Sequence, residues 1–281
     1  MHPQSRSWIA FGLLALVSAA AGWNTRPSPA SDMTIAASAF LASLSPELRD
    51  QGALAFDSPA RTDWHYIPRD RSGVSFAKMN AEQRTAARNL IRSALSSQGS
   101  NKVEQIMLLE TVLIEIEHGT GPKRDPMAYC MTVFGTPGPN PWGWKIEGHH
   151  LSLNFTGRGE LIAVTPSFLG ANPGQVKQGD RAGVRVLAVE EDLGRALLAS
   201  LTPEQRTQAI VADTAPSDVL AVPGRELDKV DASGLAVSTM DASQRELVEQ
   251  LLREYAGNLR HDLASQELAR IHAAGIDAIR F

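Results

Sequence analysis

The stretch Pro141-Trp142-Gly143-Trp144-Lys145-Ile146-Glu147-Gly148-His149-His150-Leu151-Ser152-Leu153-Asn154 decides how this chain is read. Apolar and polar side chains alternate over residues 144–155 with the period of a β-strand. Lys145, Glu147 and His149 then share one face and His150, Ser152 and Asn154 the other, unless Gly148 opens a bulge that re-aims one histidine. Residues 142–154 are therefore expected to form a small hairpin. Together with Arg124-Asp125-Pro126, Tyr129 and Phe134-Gly135 just upstream, they place two of the five tryptophans and two of the seven histidines in about 30 residues. The flanking segments read as amphipathic helices.

A site in this stretch would take Glu147, or a glutamate of the preceding helix (Glu110 or Glu117), together with His149 or His150. Imidazole nitrogen and carboxylate oxygen suit a divalent cation such as zinc, and either group relays a proton near neutral pH. His149, His150 and Glu147 are thus candidate metal ligands, and with Arg124 they are candidate catalytic residues. An adjacent His-His pair lacks the spacing of a His-x-His strand pair or a His-Glu-x-x-His helix, so structural histidines beside a tryptophan cluster remain the alternative. Arg124 reads either as a clamp for an anionic or carbonyl group or as half of a structural ion pair with Asp125. Trp142, Trp144, Trp64 and Asn154 are candidate substrate-binding residues, although tryptophan belongs more often to a core. The leading expectation is an exported, metal-dependent hydrolase acting on a small molecule. The alternatives are a noncatalytic ligand-binding module with a Trp/His-lined cleft and an inactive, truncated chain.

Composition bounds these readings. With 43% hydrophobic and 21% charged residues the 281-residue chain falls in the globular range, and a net charge of -4 gives no basic field for nucleic acid. Arg6, the apolar run over residues 8–17 and Ser18-Ala19-Ala20-Ala21 read as a signal peptide over 1–21. The protein is accordingly expected in the periplasm or secreted, with no membrane partner beyond that peptide. Cys130 is the only cysteine, so no internal disulfide is available, and its apolar neighbours favour a buried, inert thiol.

Residues 22–33, rich in Pro and Ser, read as a flexible lead, with order from 34 to 281 in a single domain. Helices are expected over 35–43, 46–56, 81–95, 101–118, 190–200, 242–259 and 262–274, the fourth following a break at Gln98-Gly99. Short strands are expected at 160–164 and 185–187, a turn-rich loop between Thr165 and Gly174, and a strand opening at 276–281. A start signal recurs: Ser45-Pro46-Glu47, Asn80-Ala81-Glu82-Gln83-Arg84, Thr202-Pro203-Glu204-Gln205-Arg206 and Asp241-Ala242-Ser243-Gln244-Arg245 each put a capping side chain before a helix. The recurrence suggests two related halves, 34–190 and 191–281, the second incomplete. The expected fold class is α+β, mainly helical with small antiparallel hairpins and an internal pseudo-duplication.

Trp64-His65-Tyr66-Ile67-Pro68, Leu109-Glu110, Arg124-Asp125-Pro126, Phe134-Gly135, Trp142-Gly143-Trp144, the run from Glu147 to Asn154, the run from Pro166 to Pro173, and Glu190-Glu191-Asp192 together resemble the "domain of unknown function 3500" family. The resemblance covers almost everything after the signal peptide and brings no activity with it. It implies a further C-terminal segment with a second histidine cluster, which this sequence does not contain, so that a two-half site is left with only the half from Glu147 to Asn154.

Overall fold

Ser28 accepts a hydrogen bond from the Ser31 N–H and Pro29 fixes the first turn, so helix α1 (Pro29–Ser43) begins inside the expected flexible lead. The cap and the burial of Ala30 and Met33 outweigh the loop-like composition of this segment. The computed structural model describes residues 28–219, 221 and 233–281. The expected signal peptide (1–21) lies outside them. Among the described residues no helix is long and apolar enough to cross a membrane.

Seven more α-helices follow among the described residues: α2 (Pro46–Gly52), α3 (Ala81–Ala94), α4 (Ser97–Glu117), α5 (Ala188–Ser200), α6 (Pro203–Ala209), α7 (Ala242–Ala256) and α8 (His261–Ala274). The recurring start signal is one physical device. Asn80 with Gln83, Thr202 with Gln205, and Asp241 with Gln244 each form a reciprocal capping box. The cap glutamines also tie helices together. Gln83 Nε2 donates to Ser43 O at the end of α1, and Gln244 Nε2 to Ser200 O at the end of α5, both at 3.0 Å. At Gln98-Gly99 the helix does not break. It starts one turn earlier than expected, and Gly99 is required because an added Cβ would lie 2.0 Å from Asn258 O.

The strands are β1 (Ala53–Leu54), β2 (Val74–Ser75), β3 (Cys130–Phe134), β4 (Trp142–Gly148), β5 (Leu151–Arg158) and β6 (Leu161–Leu169). They form one mixed sheet in the order β1-β3-β4-β5-β6, with β2 paired to β3 off this path. β1 runs parallel to β3 and every other pair is antiparallel. β6 continues through Pro166 into the expected loop, which an edge strand tolerates because one side of it needs no ladder donor. Residues 185–187 are not a strand; they lead into α5. Every strand of the sheet comes from residues 53–169. Among the described residues the second half supplies only isolated bridges, Leu259 with Leu95 and, after a 3-10 turn at Ile276–Ala278, Arg280 with Ala236, in place of the expected strand and hairpin.

Register sorts the side chains. Met131 opposes Ile146, Val133 opposes Trp144, and Ile146 and Trp144 oppose Leu153 and Phe155. These residues join α1, α3, α4 and α8 in the main apolar core. On the other face Thr132 opposes Lys145, which opposes Asn154, and Cys130 opposes Glu147, which opposes Ser152. This polar face is equally buried. What covers it is the irregular segment 55–73.

Candidate functional site

β4 and β5 pair down to Gly148 with Leu151, so His149 and His150 are the two residues of the turn between them. His150 adopts the left-handed conformation (φ 57°) that a tight turn demands. The alternation therefore stops at Gly148, which corrects the expectation that Glu147 and His149 share a face. Gly148 is needed for close approach rather than for a bulge: an added Cβ would fall 2.0 Å from the Tyr129 ring. The Tyr129 hydroxyl donates to His149 O at 2.8 Å and holds the tip in place. Burial and the Glu110 carboxylate keep that phenol un-ionised, its pKa raised far above the ordinary value.

The preceding helix supplies the carboxylate. Glu110, buried on α4, places Oε1 2.5 Å from His149 Nδ1. With the ring proton on Nδ1, that nitrogen donates to the carboxylate and Nε2 is the acceptor. Among the described residues Nε2 has no protein partner. Arg124 Nη1 lies beside the same ring, 3.3 Å from Nδ1. Its Nε and Nη2 engage the Glu117 carboxylate at 2.9 and 2.6 Å. This bidentate pair raises the arginine pKa and lowers that of Glu117. Arg124 does not pair with Asp125, whose Oδ1 instead accepts from the Met127 N–H in a local turn.

His150 faces the other way. Its N–H donates to Tyr66 O and its carbonyl accepts from the Gly170 N–H, both at 2.8 Å. Its ring centroid is 4.2 Å from that of His149, and its Nδ1 is buried without a partner. Burial first, then the neighbouring His149 and Arg124, lowers its pKa to about 4, so the ring is neutral at physiological pH.

Glu147 stands apart from both histidines. Its Oε1 accepts from Arg71 Nε at 2.9 Å and the His65 N–H at 3.1 Å, and its Oε2 is 2.8 Å from Lys145 Nζ. Lys145 Nζ also donates to Ala60 O and Asp63 O, and Arg71 Nη2 to Ile67 O and Gly148 O. Glu147 is thus the anchor that pins segment 55–73 to the sheet. The expected set of Glu147, His149 and His150 is not brought together. Among the described residues no three His, Cys, Asp or Glu side chains gather as a metal-ligand group. Arg71 gave no sequence signal, since its partner lies 76 residues away. Lys145 could have been paired with Glu147 from the strand period.

Trp142 and Trp144 are 2% and 1% exposed, and the Trp144 ring stacks on Phe155 at 4.3 Å. Both pack into the core, which corrects the expected place of Trp142 on a ligand platform, whereas Trp144 also lines the small cleft beside Trp64. Trp64 is half-buried and Asn154 is buried. They line a cleft of about 230 Å³ between segment 55–73 and the polar face, with Arg61 and Thr165. Asn154 Nδ2 donates to Ser152 Oγ and Pro166 O, while its Oδ1 is buried and unpaired. Cys130 is buried, and that burial raises its thiol pKa. The family model described as "Protein of unknown function (DUF3500)" matches residues 26–281. No curated protein and no solved structure matches the chain.

Proposed function

Because the chain belongs to the DUF3500 family of proteins of unknown function, its reaction has to be read from its side chains, and we propose an exported hydrolase in which His149 and Glu110 form the acid/base pair. The observation that carries this reading is the 2.5 Å contact between His149 Nδ1 and the buried Glu110 carboxylate, with Nε2 left without a partner among the described residues. A carboxylate that fixes the tautomer and orientation of an imidazole is the arrangement general-base catalysis requires. Nε2 removes a proton from water as its oxygen attacks the substrate's electrophilic centre, then returns that proton to the leaving group. Arg124 Nη1, the guanidinium nitrogen that Glu117 does not use, orients an anionic or carbonyl oxygen. Tyr129 and Gly148 hold the turn, and neutral His150 walls the ring on its far side. Of the two roles open to a helix glutamate and a histidine, the geometry supports proton transfer over metal ligation. The apolar leader supports export.

The test is a panel of chromogenic esters, phosphoesters and glycosides, with nitrogen-15 spectra of the histidine rings. Hydrolysis of the responsive substrate should fall at least about 100-fold in His149→Gln and strongly in Glu110→Gln, without loss of the folded state. The His149 ring should carry its proton on Nδ1 in the parent and redistribute it in Glu110→Gln. A ring protonated on Nε2, or a His149→Gln protein of full activity, would sink the reading.

A second reading, noncatalytic capture of a small polar ligand, is favoured by the unpaired Asn154 Oδ1 in the cleft beside Trp64. It calls for a ligand-dependent change in Trp64 fluorescence that survives His149→Gln and is lost in Asn154→Leu.

A further inference from the structure

A second, larger cleft of about 440 Å³ lies between the β5–β6 end of the sheet, the start of α4, and helices α5, α7 and α8. None of its lining residues belongs to the His149 site. Its walls are apolar: Leu95, Leu153, Val164, Phe168, Leu252 and Ile271 all face it. Its volume is in the ordinary range for small-molecule sites, about 300–1,000 Å³. One wall carries charge. Glu190, in the first turn of α5, is 8% exposed and lines the cleft. Its Oε1 is 2.6 Å from Lys102 Nζ, which is also 2.6 Å from Glu254 Oε1. Its Oε2 is buried and has no partner. A carboxylate oxygen left dry and unbonded is costly unless something donates to it.

Charge identifies the donor. One buried ammonium faces two carboxylates, so the cluster carries a net charge of −1. Gln98 Nε2, which donates to Glu254 Oε1 at 2.6 Å, adds a donor but no charge. Glu267, also on the cleft wall, is paired with Arg270 of its own helix. Among the described residues no arginine or lysine lines the cleft. An apolar chamber with one unsatisfied anionic oxygen is complementary to an organic cation that has a hydrocarbon body.

We propose that this cleft binds a hydrophobic primary amine, its ammonium donating to Glu190 Oε2 and its apolar chain lying along Leu153, Val164 and Leu252. The test is calorimetric titration with three probes that share one body: n-octylamine, n-octanol and octanoate. The amine should bind at least tenfold tighter than the alcohol, and octanoate weakest. Glu190→Gln should cut amine affinity at least tenfold while leaving the alcohol unchanged. Leu252→Trp, which fills the chamber without touching the charge cluster, should abolish amine binding. If Glu190→Gln does not fold, the probe series and Leu252→Trp decide the matter. Equal affinity for amine and alcohol, preference for octanoate, no amine binding, or amine binding unaffected by either variant would overturn the proposal.

Discussion

Ile146 and Glu147 are neighbours in β4, and both are shut away from water, on opposite faces of one sheet. Ile146 is held by contact with Met131, Leu153 and the helices of the main core, an attraction that needs no particular angle. Glu147 is held by Arg71, Lys145 and the His65 N–H, each at hydrogen-bond distance. The apolar face would accept other hydrocarbon side chains of similar volume. The polar face accepts only the loop that brings its matching donors, which is how segment 55–73, nearly devoid of regular structure, acquires a defined path. A buried ion pair of this kind is better evidence of specificity than of stability, because desolvation offsets most of its attraction.

The largest effect should come from breaking the polar face. Glu147→Gln keeps the shape but leaves Arg71 and Lys145 as buried charges without an anion, and should destabilise the fold by about 3–5 kcal/mol, read by urea denaturation. A Glu147→Gln protein of parental stability that has lost hydrolysis would reverse the assignment and return Glu147 to the chemistry.

Acid should act on the same end of the sheet through His150. Its folded-state pKa, lowered to about 4, lies below the ordinary value of 6.5, so the unfolded chain takes up the proton first. Its contribution is complete above pH 6.5 and is lost as pH falls toward 4, with a limiting slope of about 1.4 kcal/mol per pH unit. Urea midpoints between pH 7 and 4.5 should fall more steeply for the parent than for His150→Gln. Parallel curves would mean that the ring is not desolvated.

The smallest change belongs to the apolar face. Ile146→Val removes one methylene from the core and should reduce stability by about 0.5–1.5 kcal/mol, with hydrolysis intact. If it proved as damaging as Glu147→Gln, the contrast between the two faces would not hold.

Much of the architecture was legible in local sequence. Caps at Asn80, Thr202 and Asp241 announced α3, α6 and α7, because a capping box involves residues only three apart. Ser28-Pro29 carried the same signal as Ser45-Pro46, and the composition of its surroundings masked it. The alternation over residues 144–155 correctly predicted that Lys145 and Glu147 lie together, but it could not show that the chain reverses at His149. Nothing in a His-His pair marks a turn as Asn-Gly does.

The sequence by itself determined most of the helix starts, the faces of the strands as far as Gly148, and the short list of side chains able to do chemistry. Those depend on dihedral preference and spacing within a few residues. Only the tertiary structure decided which of those side chains meet. Glu110 reaches His149 across 39 residues, and Arg71 reaches Glu147 across 76. The pairing of a carboxylate with an imidazole or a guanidinium is set by where helices and loops pack, and two glutamates with the same chemistry carry no mark of which partner each will find.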